Sequence, residues 1–132
     1  MKYTLDTNII SYYLKGNQQV VEKLDSEAEN DNIVIPTFVY LEIKKWLLAL
    51  GSKSKLSAFD KMFEEFGVGI IDKEILDKAL SIYINLRKIG ITVDDGDLRI
   101  AAYCINNNHV LVTNNTKHFE SIENLQIVNW AM

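Results

Sequence analysis

Short apolar runs alternate along this chain with longer stretches in which apolar residues return every three or four positions. The first kind of pattern reads as buried strand and the second as amphipathic helix. Lys2-Tyr3-Thr4-Leu5 predicts a first strand, and Thr7 to Lys15 a helix ended by Gly16. Val20 to Ala28 predicts a second short helix. Asn32-Ile33-Val34-Ile35 predicts a buried strand cut off by Pro36. Thr37 opens a helix with Phe38, Leu41 and Leu48 on its apolar side, and Gly51 ends it. Lys55 to Phe66 is a further amphipathic helix, and Gly67 to Ile71 a short strand. Helices over Glu74 to Ile89 and Asp95 to Asn107 follow. His109 to Val112 then forms a strand, and Gln126-Ile127-Val128 is a candidate last one. Strands separated by helices require right-handed crossovers, hence an α/β fold whose parallel sheet of four to five strands is covered on both faces.

Composition keeps this picture simple. The 132 residues suit one domain, and 48% hydrophobic against 24% charged residues supports an ordinary core. No repeat, low-complexity tract or domain break interrupts it. The start, MKYTLDTNIISYYLKG, lacks a long apolar run after a basic segment. No stretch approaches the length of a membrane span. The lone Cys104 lies in the apolar run Ile100 to Ile105 and reads as a buried structural thiol. A cytoplasmic protein with no membrane association is expected. The net charge of −4 argues against a protein that coats nucleic acid. It leaves room for an enzyme that meets nucleic acid through a metal. Setting three carboxylates on a metal leaves 15 acidic groups against 14 basic ones.

Three acids stand out by position. Sites in parallel sheets form beyond the carboxyl ends of the strands. Asp6 follows the first strand directly. Glu42 lies about one and a half turns into the helix after the second strand. Asp97 stands at the start of the helix opened by Asp94 and Asp95. Singly, each has a plainer reading. Asp6 caps the helix at Thr7, Asp94 or Asp95 caps the next, and Glu42 pairs with Lys44 or Lys45. Together they describe another possibility, because burying like charges is costly unless a cation neutralises them. No cysteine or paired-histidine cluster is present to bind zinc. Clustered carboxylates suit Mg²⁺ or Mn²⁺, which keep waters and engage substrate phosphates. Such ions assist displacement at a phosphodiester.

Four segments carry a resemblance. Leu5-Asp6-Thr7-Asn8-Ile9-Ile10, Tyr40-Leu41-Glu42-Ile43, Asp97-Leu98-Arg99-Ile100-Ala101-Ala102 and Leu111 to Phe119, reading LVTNNTKHF, resemble the PIN-domain nucleases, and more narrowly the VapC-type toxins. The motifs span almost the whole chain. The resemblance implies a three-layer α/β/α sandwich and Mg²⁺- or Mn²⁺-dependent endonucleolytic cleavage of RNA, of the transfer or ribosomal class. It implies Asp6, Glu42 and Asp97 as metal-binding and catalytic acids, supported by Thr7, Asn8 and Thr113. Some PIN domains have a fourth acid where Asn115 stands, which implies weak retention of a second metal here. The family often has Asp or Glu at the position of His118, with Glu120 the nearby substitute. Asp95 is read as a helix cap or an outer supporter. A VapB-like antitoxin and a homodimer are implied as partners. The first helices are candidates for the dimer surface, with Tyr12, Tyr13 and Phe59 as either interface or core.

The remaining signals are weaker. Lys44, Lys45, Arg87, Lys88, Arg99 and Lys117 are candidates for a phosphate-binding rim. Trp46 and Trp130 read as packing anchors, His109 as a turn residue, and His118 as a helix-start residue or an RNA contact. Two other functions compete. A phosphatase of the haloacid dehalogenase type also uses an Asp after the first strand but needs a second Asp where Asn8 stands. A non-catalytic PIN-like module that binds RNA or protein would not need the acidic triad.

Overall fold

The computed structural model describes residues 1–132. Five strands form one parallel sheet: β1 (Tyr3–Leu5), β2 (Ile33–Pro36), β3 (Gly67–Gly69), β4 (Val110–Val112) and β5 (Gln126–Val128), in the spatial order β3-β2-β1-β4-β5. Six helices connect them: α1 (Thr7–Leu14), α2 (Gln18–Ala28), α3 (Thr37–Leu50), α4 (Lys53–Glu65), α5 (Lys73–Lys88) and α6 (Asp95–Asn107). Helices α1 to α4 pack on one another, and α5 pairs with α6. These two groups are the outer layers of the α/β/α sandwich. No helix is long and apolar enough to cross a membrane.

The element boundaries follow from capping chemistry. The second helix begins at Gln18, two residues before its apolar pattern, because the Asn17 side chain accepts the Val20 N–H at 3.1 Å. The fourth begins at Lys53 rather than Lys55, since Ser52 accepts from Lys55 N–H. Asp72 likewise starts α5 at Lys73. Left-handed Gly51 and Asn108 end α3 and α6. Pro36 does not precede the end of the second strand; it is the end, paired in register with Gly69. The third strand stops there instead of reaching Ile71.

The core lies on both faces of the sheet. Leu5, Ile35 and Leu111 are fully buried in the strands, with Ile9, Ile10, Ile43, Leu47 and Phe59 from one helical layer. Ala101, Ala102 and Cys104 of α6 cover the other. Phe59 thus belongs to the core, which removes it from the candidate interface residues. Cys104 is buried as expected, and burial pushes its thiol up to about 12.

The topology decides where a site forms. From β1 the chain moves outward through β2 to β3, then returns to place β4 on the other side of β1. The crevice beyond the carboxyl ends of β1 and β4 is therefore the switch point of the sheet, where neighbouring connections leave in opposite directions.

Candidate active site

A cavity of about 460 Å³ opens at that switch point. The end of β1 and the start of α1 supply Asp6, Thr7, Asn8, Ser11 and Lys15. Helix α3 supplies Phe38, Glu42, Ile43 and Trp46. The start of α6 supplies Asp94, Gly96 and Asp97, and the turn after β4 adds Asn115 and His118. Asp6, Glu42 and Asp97, distant in sequence, thus line one cavity.

Asp6 is the most tightly held of the three. Its Oδ1 accepts the Thr7 N–H at 2.8 Å, so it does cap α1. Its Oδ2 accepts from the Thr113 hydroxyl at 2.8 Å and from Asn8 Nδ2 at 3.1 Å. Thr113 is itself buried and accepts the Asn115 N–H at 3.0 Å. The Asn8 side-chain oxygen accepts the Asn114 N–H at 2.9 Å. One polar network therefore ties the exit of β1 to the exit of β4. Thr7 faces the other way and gives its hydroxyl hydrogen to Glu42 Oε2. Glu42 thus pairs with neither lysine; Lys44 instead bonds Asp60. A Cβ placed on Gly96 would lie 3.9 Å from Glu42 Oε1, which brings the start of α6 against the same carboxylate.

Asp97 is met by His118, whose Nδ1 lies 3.2 Å from Oδ2. His118 closes a short 3-10 turn, Thr116–His118, rather than opening a helix, and it is exposed. Glu120, by contrast, lies outside the cavity. Asn115 is exposed on the cavity rim. Among the aspartates opening α6, Asp94 stands at the cap position without making a side-chain cap bond and lines the cavity. Asp95 is the first helical residue, exposed and outside the cavity, so the cap position falls to Asp94 instead.

The electrostatics record the crowding. Burial is the main reason the Asp6 carboxyl is held above its ordinary value, and Glu42 adds to it, while Thr113, Thr7 and Asn8 pull the other way. The Asp97 carboxyl is also raised, first by burial and then by the Asp6 charge; His118 offsets part of this, and Asp94 adds to it. The cavity therefore stores unfavourable charge that a cation relieves. As placed, no three acidic, histidine or cysteine side chains converge into a closed ligand set. Thr7 engages Glu42 and His118 engages Asp97. The available donors are hard carboxylate oxygens. They fit Mg²⁺, which retains several waters and takes only one or two carboxylates directly.

The cations fall differently from the expected rim. Lys44, Lys45, Arg87, Lys88, Arg99 and Lys117 lie outside the cavity, Arg99 with its guanidinium on the Phe38 ring. Arg87 donates to Tyr83 at 3.1 Å, on α5. The cation inside is Lys15, its ammonium 5.4 Å from the centre of the Trp46 ring. Trp46 is a packing residue that also walls the cavity. Sequence reasoning missed Lys15, Ser11, Phe38 and the cavity face of Trp46. Helical spacing carried the signal, since Phe38 and Trp46 sit one turn either side of Glu42, and Ser11 and Lys15 one and two turns after Thr7. Tyr12 and Tyr13 are half-buried, the first bonded to Asn114 and the second to Asp25.

Comparison with known proteins agrees with this geometry. The chain matches the PIN domain family over residues 3–125. It is 31% identical to "Ribonuclease VapC1" of Haemophilus influenzae over 99% of each chain. It is 33% identical to "Ribonuclease VapC2" of Rickettsia felis over 98% of each. The solved structure of VapBC2 from Rickettsia felis bound to a DNA fragment from its promoter superposes with a TM-score of 0.86 at 29% identity, covering 98% of this chain and 99% of that one.

Proposed function

The chain belongs to the PIN domain family, and from that premise we propose that it is a metal-dependent endoribonuclease, the toxin of a toxin–antitoxin pair. The observation that carries the reading is the meeting of Asp6, Glu42 and Asp97 in one cavity at the sheet's switch point. The named ribonucleases that match nearly the whole chain support it. The resemblance seen in the sequence adds transfer or ribosomal RNA as the substrate class, and the sequence pattern adds the cytoplasm as the place of action.

Asp6, Glu42 and Asp97 would hold Mg²⁺ or Mn²⁺. Such an ion supplies neutralisation of the phosphodiester and makes a nearby water more acidic. The protein residues prepare the site. Thr113 and Asn8 fix the Asp6 side chain from the β4 side, and the Thr7 N–H fixes it from α1. The Thr7 hydroxyl orients Glu42, and His118 orients Asp97. Asn115, neutral and exposed, adds no charge of its own, so Asp94 is the fourth acid of this cavity.

The partners follow from the same site. A cavity lined by four carboxylates attracts an arginine, whose fork matches a carboxylate, and a VapB-like antitoxin supplies one from its tail. A homodimer is supported by Leu76, Leu80 and Ile84, a stripe of exposed apolar side chains one turn apart along α5. A non-catalytic binding module is the second reading. It draws on the present engagement of Glu42 by Thr7 and of Asp97 by His118.

Incubation of total RNA with purified wild type and Asp97→Asn, in Mg²⁺ or Mn²⁺ and in chelator, tests the choice. Discrete fragments from the wild type alone, dependent on metal, are expected. No cleavage, or equal cleavage by both proteins, would transfer the case to the binding module.

A further inference from the structure

Phe38, Glu42 and Trp46 occupy successive turns of one face of α3, and all three line the cavity. The backbone positions of the two aromatic residues stand about 6 Å along the helix axis on either side of that of Glu42. Each ring carries a cation. The Arg99 guanidinium lies 5.2 Å from the centre of the Phe38 ring, and the Lys15 ammonium 5.4 Å from that of Trp46. Neither cation enters an ion pair in the protein. Arg99 Nε is moreover buried with no hydrogen-bond acceptor. Two cations are thus parked on ring faces beside a cavity of carboxylates without bonding to them.

We propose that this face of α3 is a stacking platform for unpaired RNA, with one base placed against Trp46 and another against the Phe38–Arg99 pair, on either side of the phosphate presented to Glu42. The proposal rests on the nuclease reading above and assigns how that site takes its substrate. Unpaired bases stack on aromatic rings and on guanidinium planes, whereas bases in a duplex have no free face to offer. Lys15 is exposed on a flexible stem, so a base displaces it from the ring and leaves its ammonium for the backbone. Both cations then answer phosphates locally, which an acidic chain of net charge −4 does not do across its surface.

Fluorescence tests the platform directly, because Trp46 is one of two tryptophans and Trp130 is buried against Tyr3. In the Asp97→Asn, Trp130→Phe protein with Mg²⁺, a short oligoadenylate is expected to quench Trp46, and the same strand paired with oligouridylate is not. Trp46→Leu is expected to weaken oligoadenylate binding about tenfold or more, and Trp46→Phe to restore most of it. If the Trp46 variants fold poorly, exposed Lys15→Gln serves instead. It should lower affinity and reduce the salt dependence by about one ion. Equal quenching by strand and duplex, or undiminished binding by Trp46→Leu and Lys15→Gln, overturns the platform. If wild type still cuts total RNA in Mg²⁺, the nuclease reading survives that result. Quenching by the single strand without any cleavage supports the platform and removes the nuclease.

Discussion

Thr113 donates its hydroxyl hydrogen to Asp6 across 107 positions of sequence, at 2.8 Å, and the bond spans the junction between β1 and β4. The same oxygen accepts the Asn115 N–H. Thr113→Val removes a buried donor and leaves that N–H without a partner, at a cost of about 1–3 kcal/mol. Thermal unfolding should fall by several degrees. Because Thr113 pulls the Asp6 carboxyl down against burial, its loss lets the carboxyl rise further. The acid limb of the cleavage profile should therefore move to higher pH. An unmoved limb would mean that Thr113 serves folding alone.

Stability without metal should depend on pH in a particular direction. Asp6 and Asp97 have raised values in the folded protein, so the folded state holds protons that the unfolded state releases. The stability linked to them is complete below the ordinary carboxylate value of about 4 and is lost as pH rises through the folded values. In chelator near neutrality, Asp97→Asn should accordingly melt higher than wild type, and the difference should vanish toward pH 4. Mg²⁺ should reverse the order by stabilising the wild type. A neutral-pH loss in Asp97→Asn would show that its bond to His118 outweighs the charge it carries.

His118→Asp places a carboxylate beside Asp97 and removes the imidazole that offsets its raised value. The chelated protein should melt lower than wild type, and the rise on adding Mg²⁺ should be larger. Equal Mg²⁺ responses in the two proteins would place the ion away from Asp97.

Phe59 is fully buried and rings with Tyr40 and Phe63 at centroid distances of 5.7 and 6.3 Å. Phe59→Ala should cost about 3–5 kcal/mol, with no change in subunit association and no change in cleavage per folded molecule. A dissociated oligomer at unchanged stability would return Phe59 to an interface.

Cys104 should resist thiol reagents in the folded protein and react fully in denaturant, since its thiol is shielded and held near 12. Reaction at native rates comparable to a free thiol would reveal local opening of α6.

Much of this was legible in the chain itself. Continuous apolar runs gave the strands, which are covered on both faces, and apolar period gave the six helices, although on α3 the buried side is Val39, Ile43 and Leu47 while Leu41 and Leu48 are exposed. Boundaries moved by one or two residues where Asn17, Ser52 and Asp72 extended helices past their apolar patterns. Among the cavity acids, Asp6 stood out as a charge at a strand exit, whereas Glu42 and Asp97, inside a helix and at a helix start, were singled out together with it by the resemblance. Asp94 and Asp95 were not separable, since neighbours on a helix differ in direction by a rotation that only the packed structure fixes. The cations were hardest to place. Lysine and arginine stems reach far from their backbone, so position in sequence says little about where the charge ends. Lys15 therefore gives no signal by its position, and Lys44, expected at the rim, turns to Asp60 instead.

The middle strand is the first one made. β1 leaves the ribosome before all others, yet one of its two neighbours is β4, and the hydroxyl that steadies Asp6 comes at position 113. Through most of translation, that strand has an open edge and its carboxylate has only the local bonds from Thr7 and Asn8. A chain that stops short of β4 has all three acids but neither Thr113 nor the crevice between β1 and β4. Order of synthesis is therefore order of arming, and an interrupted message yields a blunt product.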